Sequence, residues 1–272
     1  MNQEERLDYL INRLLKESEE YKEINIEKMG KSMLLRSLMN RRMPRPIDSK
    51  FLTIQDEYLK EESRKSGSIT QMDIPTIYEQ FGSRHEFADK LSIWQGDITK
   101  LAVDAIVNAA NSQMLGCFVP CHRCIDNAIH SAAGIQLRNA CNDLMQKKRS
   151  LYGARYEEPT GQAEITKGYN LPAKYVIHTV GPIVGGKLND SLRQDLKNCY
   201  ANVLKCAVEN DVRCVAFCCI STGEFHFPND EAAKIAVDTV SGFLRVYKGK
   251  LDRIIFNVFK DLDRELYEKL LV

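Results

Sequence analysis

Three cysteines and one histidine lie within eight residues of one another, at Cys117, Cys121, His122 and Cys124. Thiolate and imidazole ligands in so short a segment are typical of a tetrahedral zinc site. The spacing Cys117-x4-His122-x-Cys124 lacks the two separated ligand pairs of a zinc finger, and it leaves room for the open coordination position of a catalytic zinc. A cysteine-rich loop without metal is the alternative. A thioredoxin-type role for Cys121-x-x-Cys124 is excluded because the strand context of that motif is missing.

The segment after these candidate ligands has a helical pattern, and its first turn contains Asp126. The helix dipole favours an acidic residue there, which is the structural interpretation. A carboxylate beside a metal can instead orient or deprotonate a water molecule, which is the functional interpretation. The pattern alone does not separate the two. His130 lies one turn later on the same helix face, where we expect a core histidine whose hydrogen bonds are satisfied.

A second loop, residues 221–230, also connects a strand to a helix and combines hydroxyl groups with Gly223. Free backbone N–H groups beside a helix N-terminus form a natural phosphate site. Together with the first loop, this predicts a ligand that contains a pyrophosphate. The dinucleotide fingerprint G-x-G-x-x-G and the Walker phosphate loop are both absent from the sequence, which argues against a standard dehydrogenase or a P-loop enzyme.

Two more residues lie at predicted strand ends. Asp97, in Gln95-Gly96-Asp97-Ile98-Thr99, either accepts a hydrogen bond from an amino group or makes a turn. Phe259, at the end of the last predicted strand, either stacks on a base or packs in the core. The other candidates for chemistry, Cys214, Cys218, Cys219 and His178, lie inside apolar strand patterns and are expected in the core.

From about Leu91 onward, short apolar segments alternate with amphipathic helical ones. The predicted strands are Ser92–Gln95, Ala105–Ala109, Ala163–Thr166, Tyr175–Thr179, Cys214–Ile220 and Ile254–Phe259. The predicted helices are Ile125–Gln146, Ser191–Asn210, Asp230–Val246 and Leu262–Leu271. This alternation predicts a largely parallel or mixed sheet with helices on both faces, whose ligands bind at the carboxyl ends of the strands.

Residues 1–84 have a different composition, with no cysteine and three glycines. Apolar residues recur there at helical spacing between charges, and Pro44 and Pro46 end the second of the helices. A third helix is predicted over about Thr53–Arg64. We therefore predict two units: a helical N-terminal extension over residues 1–84 and an α/β domain over residues 85–272.

The overall composition is that of an ordinary folded protein, with 38 Lys+Arg against 37 Asp+Glu and a formal net charge of +1. We expect no nucleic-acid partner, because no excess of positive charge attracts phosphate backbones. We expect no membrane association, because no apolar run approaches a membrane span. All nine cysteines lie between Cys117 and Cys219, and this odd, clustered set predicts reduced thiols and a cytoplasmic location.

With these motifs in place, the chain resembles the macrodomain family, and closely its zinc-containing subfamily of protein ADP-ribosylhydrolases. The resemblance covers roughly Leu91 to Val272. It depends on four motifs in order: residues 96–99, Val107-Asn108-Ala-Ala-Asn111, residues 116–130 and residues 221–225. A helical extension before the domain is also similar to this subfamily. The resemblance implies a three-layer α/β/α sandwich with a mixed sheet and a cleft that binds ADP-ribose.

The same resemblance implies a role for each matching residue. Asp97 and Ile98 would bind the adenine, and Phe259 would stack on it. The backbone of Ser221, Thr222, Gly223 and Glu224 would surround the diphosphate, with Phe225 and Asn111 at the distal ribose. Zn2+ would be held by Cys117, His122 and Cys124. Asp126 would be the catalytic carboxylate, assisted by Asn111.

The implied function is zinc-dependent hydrolysis that removes mono-ADP-ribose from modified protein side chains. Two departures accompany the resemblance: the cysteine-rich loop replaces a run of glycines common before the aspartate, and His226 stands where glycine is common. Three alternatives remain open: a reader module that binds ADP-ribose without cleaving it, a hydrolase of small ADP-ribose esters, and a purely structural zinc.

Overall fold

The computed structural model describes residues 1–17 and 30–272. Its N-terminal part contains three helices: α1 (Gln3–Leu15), α2 (Lys31–Arg41) and α3 (Ser49–Ser66). Asn2 and Asp48 cap α1 and α3, since each side chain accepts a hydrogen bond from a free N–H group of the first turn. The third helix is therefore longer at both ends than the sequence predicts.

The three N-terminal helices bury one face each in a common apolar cluster. Its most deeply buried members include Leu10, Leu14, Leu34, Leu38 and Phe51, all at most 2% exposed. The cluster also includes Ile135 of the following domain. This small core explains why short helices rich in charge hold together: tertiary packing of an apolar stripe stabilises them more than intrinsic propensity does. The predicted division into two units at residue 84 stays a prediction.

A six-stranded sheet forms the centre of the remaining chain. Its strands are β2 (Leu91–Gln95), β4 (Ala105–Ala110), β5 (Ala163–Lys167), β6 (Tyr175–Val180), β7 (Cys214–Phe217) and β8 (Arg253–Val258). The strand order is β2-β8-β7-β4-β6-β5, and only β5 runs antiparallel to its neighbour. The predicted mixed sheet is therefore confirmed, and its central strands are apolar on both sides because helices cover both faces.

Five helices accompany the sheet: α5 (Ile125–Ala133), α6 (Ile135–Tyr152), α7 (Asp190–Glu209), α8 (Asn229–Val246) and α9 (Asp261–Leu271). Helices α7, α8 and α9 pack side by side, while α5 contacts α2, α3, α6 and β4. A short helix, α4 (Ile77–Phe81), and a pair of two-residue strands, β1 (Ile69–Thr70) and β3 (Leu101–Ala102), were not evident from the sequence. In residues 1–17 and 30–272, no helix has the length and hydropathy needed to cross a membrane.

The structure corrects three predicted boundaries. The helix predicted over Ile125–Gln146 is two helices, because Gly134 adopts φ 93° and ψ 175° between them. The strand predicted over Cys214–Ile220 ends at Phe217, where the chain leaves the sheet to enter the second loop. The last strand ends at Val258 and not at Phe259, so Phe259 is outside the sheet and 76% exposed.

Gly134→Ala is expected to destabilise the protein by about 1–3 kcal/mol, the cost of a side chain in a backbone region used almost only by glycine. The added Cβ would also lie 2.6 Å from Nε2 of the buried Gln55. Urea denaturation measures the change. Gly242→Ala in α8 is the control, since a Cβ there meets nothing within 4 Å. Equal free energies of unfolding for the two variants would contradict this explanation of the helix break.

Candidate active site

Four candidate site segments follow the carboxyl ends of parallel strands, and the strand order sets their order in space. Residues 96–98 follow β2, Phe259 follows β8, the loop 221–225 follows β7, and the loop that starts at Asn111 follows β4. These strands are consecutive neighbours in the sheet, β2-β8-β7-β4. With an inter-strand spacing of about 4.8 Å, the segments span roughly 14 Å along one edge. The candidate site is therefore an elongated row of loops, and we call the space between these loops the cleft.

Cys117, His122 and Cys124 form a cluster at one end of this cleft. One ligand atom from each lies within 4.8 Å of those of the other two. Cys124 is the N-cap of α5, and its Sγ accepts a hydrogen bond from the Asn127 N–H at 3.4 Å. The helix N-terminus and this hydrogen bond favour a thiolate, whereas the burial of the side chain opposes it.

The chemistry of this cluster fits a zinc ion. Two sulfurs and one imidazole nitrogen are the ligands that zinc prefers, and three protein ligands leave one position open. The Nδ1 atom of His122 is buried and has no hydrogen-bond partner among the described residues. Burial, with the nearby Cys117 and Asp126, raises the pKa of the Cys124 thiol in the protein alone. A bound cation would reverse that effect by favouring the thiolate.

Asp126 lies in the first turn of α5 but points into the protein and not into solvent. It is 5% exposed, and burial raises its pKa to about 6. Its Oδ1 accepts a hydrogen bond from Asn108 Nδ2 at 2.8 Å, and its Oδ2 lies 3.5 Å from Asn111 Nδ2. The two residues with an expected catalytic role, Asp126 and Asn111, are thus side by side. A residue whose only role is to begin a helix gains nothing from such burial.

A buried chain of hydrogen bonds fixes Asp126 in this position, and the sequence pattern predicts no role for its members. Asn108 donates one amide hydrogen to Asp126 and the other to Nδ1 of His178, at 3.1 Å. His178 must then carry its proton on Nε2, which lies 2.9 Å from the hydroxyl of Thr166. If the Asn108 amide were rotated by half a turn, its oxygen would face Asp126 Oδ1, and two acceptors would meet. The orientation with the Asn108 NH2 group toward Asp126 is therefore defined. A polar residue in the buried strand β4 was the available signal.

His130, Cys141 and His178 form a second cluster of potential metal ligands. Both ring nitrogens of His178 are already used by Asn108 and Thr166, so this cluster is not a metal site. His130 is buried as expected, but the expectation of satisfied hydrogen bonds is wrong: neither ring nitrogen has a partner among the described residues. Its Nε2 lies 3.4 Å from Asp126 Oδ1, and burial holds the pKa of His130 well below its usual value.

The second loop turns tightly after β7. Ser221 and His226 both adopt left-handed backbone conformations, with φ of 64° and 56°, so His226 occupies a conformation that favours glycine. The His226 N–H donates to the Gly223 carbonyl at 3.0 Å. Within residues 1–17 and 30–272, the N–H groups of Gly223, Glu224 and Phe225 have no backbone acceptor. These exposed donors can bind an anion.

The metal-ligand cluster and the second loop meet across the cleft. Nε2 of His122 lies 3.7 Å from Oε1 of Glu224. Thr222 turns its hydroxyl away to the carbonyl of Cys219, at 3.1 Å. The Thr222 hydroxyl is therefore engaged within its own loop, while the Glu224 side chain faces the ligand cluster.

At the opposite end of the cleft, the ends of β2 and β8 lie side by side. Asp97 is exposed and accepts hydrogen bonds from the N–H and hydroxyl of Thr99, at 3.0 and 2.7 Å, while Ile98 is buried beneath it. The Phe259 carbonyl accepts a hydrogen bond from Gln95 at 3.4 Å. The Phe259 ring is exposed and does not pack in the core, while its stacking on a base stays a prediction.

Comparison with known proteins agrees with this arrangement. A family model described as the Macro domain matches residues 107–236. A protein-ADP-ribose hydrolase of Treponema medium is 46% identical over 273 residues, covering 100% of both chains. The chain belongs to the macrodomain family. A protein-ADP-ribose hydrolase of Staphylococcus aureus (strain MRSA252) is 41% identical, covering 97% of this chain and 94% of its own.

Solved structures support the same conclusion for the fold. The Trypanosoma brucei macrodomain in complex with ADP-ribose matches with a TM-score of 0.65 at 29% identity, covering 86% of this chain and 94% of that one. The predicted α/β fold is confirmed. The relatives named as hydrolases also decide between an enzyme and a reader: this macrodomain is a hydrolase.

Asn108→Ala is expected to lower the free energy of unfolding by about 1–3 kcal/mol, because it leaves Asp126 Oδ1 and His178 Nδ1 buried without their donor. Urea denaturation measures the loss. Asn142→Ala is the matched control, since Asn142 is a partly exposed residue of α6. If Asn108→Ala were no less stable than this control, the buried hydrogen-bond chain would not hold Asp126 in place.

Proposed function

We propose that this macrodomain removes mono-ADP-ribose from modified protein side chains and releases ADP-ribose, with zinc bound by Cys117, His122 and Cys124. The observation that carries the proposal is the order of the four candidate site segments that follow β2, β8, β7 and β4. A stacking ring, an anion-binding loop and a carboxylate beside a ligand cluster follow one another along consecutive strands. This is the order of adenine, diphosphate and distal ribose in ADP-ribose. The names of the relatives and the ADP-ribose complex of the Trypanosoma brucei macrodomain support it.

In this proposal each part of the ligand has its own subsite. Phe259 stacks on the adenine, with Asp97 accepting a hydrogen bond from its amino group and Ile98 packing beneath. The backbone of residues 221–224 surrounds the diphosphate, and the N–H groups of Gly223 and Glu224, which have no backbone acceptor among the described residues, donate to its oxygens. Phe225 and Asn111 contact the distal ribose. Binding energy from the adenine and diphosphate is thereby used to place the ribose beside Asp126.

At the reacting end, Asp126 orients the attacking water and accepts a hydrogen bond from it. Asn108 holds one carboxylate oxygen, so the other oxygen, beside Asn111, is the one directed toward the ribose. When bound, zinc supplies a Lewis acid beside the distal ribose. Hydrolysis adds the water oxygen to one side of the ribose–protein linkage and a proton to the other.

Asp126→Asn is expected to lower the rate of ADP-ribose release by about 100-fold or more, the scale of general acid–base assistance. The amide is nearly isosteric, so we expect the binding of free ADP-ribose to change little. Time-resolved release from a mono-ADP-ribosylated protein measures the rate, and calorimetric titration measures the binding.

Asp143→Asn is the control for this variant, because Asp143 is an exposed carboxylate on α6. It should release ADP-ribose at the rate of the unmodified protein. Full activity of Asp126→Asn would remove Asp126 from the mechanism, whereas loss of both binding and release would assign it to binding instead.

Phe259→Ala is expected to weaken ADP-ribose binding by about 1–3 kcal/mol, the range measured for stacking of a base on an aromatic side chain. Stability should not change, because the ring is 76% exposed. Calorimetry with ADP-ribose and with ribose 5-phosphate tests this, since only the first ligand has an adenine. Val246→Ala is the control at another exposed apolar residue, 74% exposed. Equal losses for both ligands would contradict an adenine subsite at Phe259.

A further inference from the structure

The segment that carries the candidate zinc ligands, residues 115–124, has little regular structure of its own. Gly116 and Cys121 both have positive φ, at 78° and 52°. A segment without helix or strand must obtain its backbone hydrogen bonds from elsewhere. In this protein four of them come from α2 of the N-terminal helices and from one arginine of α6.

Arg36 of α2 donates to two groups next to the ligands. Its Nη2 lies 3.2 Å from the His122 carbonyl, and Nη2 and Nε lie 2.8 and 3.2 Å from Asn127 Oδ1. Asn127 is fully buried; its amide donates to the Val119 carbonyl at 2.9 Å, and its N–H donates to Cys124 Sγ. A single guanidinium therefore connects α2 to the segments of both His122 and Cys124.

Asn40, near the end of α2, adds a second connection. It is 1% exposed, its Oδ1 accepts a hydrogen bond from the Cys121 N–H at 2.9 Å, and its amide donates to Ser131 of α5 at 2.9 Å. The hydrogen bond satisfies an N–H group in the middle of the ligand segment. Because the Asn40 amide also binds Ser131, Asn40 fixes that segment relative to α5, the helix that carries Cys124 and Asp126.

Arg138 of α6 joins the two parts from the other side. Its Nη1 lies within hydrogen-bonding distance of the carbonyls of Met39, Asn40 and Arg42, at 2.7–3.0 Å. Its Nε and Nη2 donate to the carbonyls of Leu115 and Cys117, at 2.6 and 3.2 Å. The last carbonyls of a helix lack partners within it and carry partial negative charge, so a buried guanidinium is well placed there. Cys117 is thereby tied to the end of α2.

We propose that α2 is a structural part of the metal site: Arg36 and Asn40 position the ligand segment, so zinc binding and the packing of α2 stabilise each other. The proposal rests on the zinc site of the proposed function. Hydrogen bonds connect α2 to all three candidate ligands. Arg36 reaches His122 directly and Cys124 through Asn127, and Arg138 connects the end of α2 to Cys117. Because such coupling is reciprocal, zinc must stabilise α2 by the same free energy with which packed α2 strengthens zinc binding.

The first test is zinc affinity, measured by competition with a chromophoric chelator on the full chain. Arg36→Met and Asn40→Ala are each expected to bind zinc about 10–100-fold more weakly, the usual effect of removing a residue that supports metal ligands. Arg36→Lys keeps the charge but not the planar group that contacts both Asn127 and His122, so it should lie between Arg36→Met and the unmodified protein.

Arg6→Met is the matched control. Arg6 joins α1 to α3 through Glu57, at 2.9 Å, and makes no contact with the ligand segment. Its zinc affinity should equal that of the unmodified protein. Equal zinc affinity for Arg36→Met, Asn40→Ala and Arg6→Met would overturn the proposal.

The second test uses the unmodified chain and does not depend on how well a variant folds. Hydrogen–deuterium exchange is followed in α2 and, as an internal reference, in α8, with and without zinc. Slower exchange in α2 on adding zinc is the expected result; exchange in α2 that zinc does not change would overturn the coupling. A chain that takes up zinc but shows no such coupling leaves the proposed hydrolysis intact. A zinc-loaded chain that shows the coupling but releases no ADP-ribose contradicts the function alone.

Discussion

The first turn of α5 carries a candidate metal ligand, a buried carboxylate and the residue that connects both to the rest of the protein. Cys124 caps the helix, and Asp126 accepts a hydrogen bond from Asn108 of β4. Asn127 connects the ligand segment to Arg36. A helix N-terminus is the place where a thiolate and a carboxylate can lie close together at least cost. Any displacement of this turn would move the ligand and the carboxylate together, so contacts that hold the turn hold both groups.

The order of the strands in the sheet determines how the loops of the site are arranged. Because β2, β8, β7 and β4 are consecutive neighbours, four loops that are far apart in sequence lie in a row. Gly116 shows how tightly the last of these loops packs: a Cβ there would lie 2.8 Å from the His130 ring. Glycine is therefore required at residue 116 for steric reasons. Hydrogen bonds from α2 and Arg138 hold other parts of the cysteine-rich segment in place.

Much of the fold could be predicted because its signals are local. Alternating apolar and amphipathic segments located the six strands of the sheet and the helices, and most helix ends agree within a few residues. The errors have physical causes: Gly134 breaks a helix whose apolar pattern continues past it, and β7 ends early because its loop must turn back at Ser221. Spacing in the sequence also brought out the cluster of Cys117, His122 and Cys124, whose ligand atoms lie close together.

The supporting residues could not be predicted in this way, because their partners are distant in sequence. Arg36 and Asn127 are 91 residues apart, and Asn108 and His178 are 70 apart. Arg36 lies in a charged helix whose pattern is typical of a solvated surface. Asn108 reads as one polar residue in an apolar strand, and only its strand neighbour in the sheet reveals the role of its amide. Pairing across the sheet and between helices is the information that a single sequence lacks.

The measurement that tests the account most directly is time-resolved release of ADP-ribose from a mono-ADP-ribosylated protein, with zinc content determined on the same preparation. It is made on the protein as purified, after gentle removal of zinc, and after zinc is restored. We expect release that falls with zinc content and returns with it while the protein stays folded by circular dichroism. Unchanged release from folded, zinc-free protein would contradict the metal's role, and binding without release on several linkage types would contradict the proposed reaction.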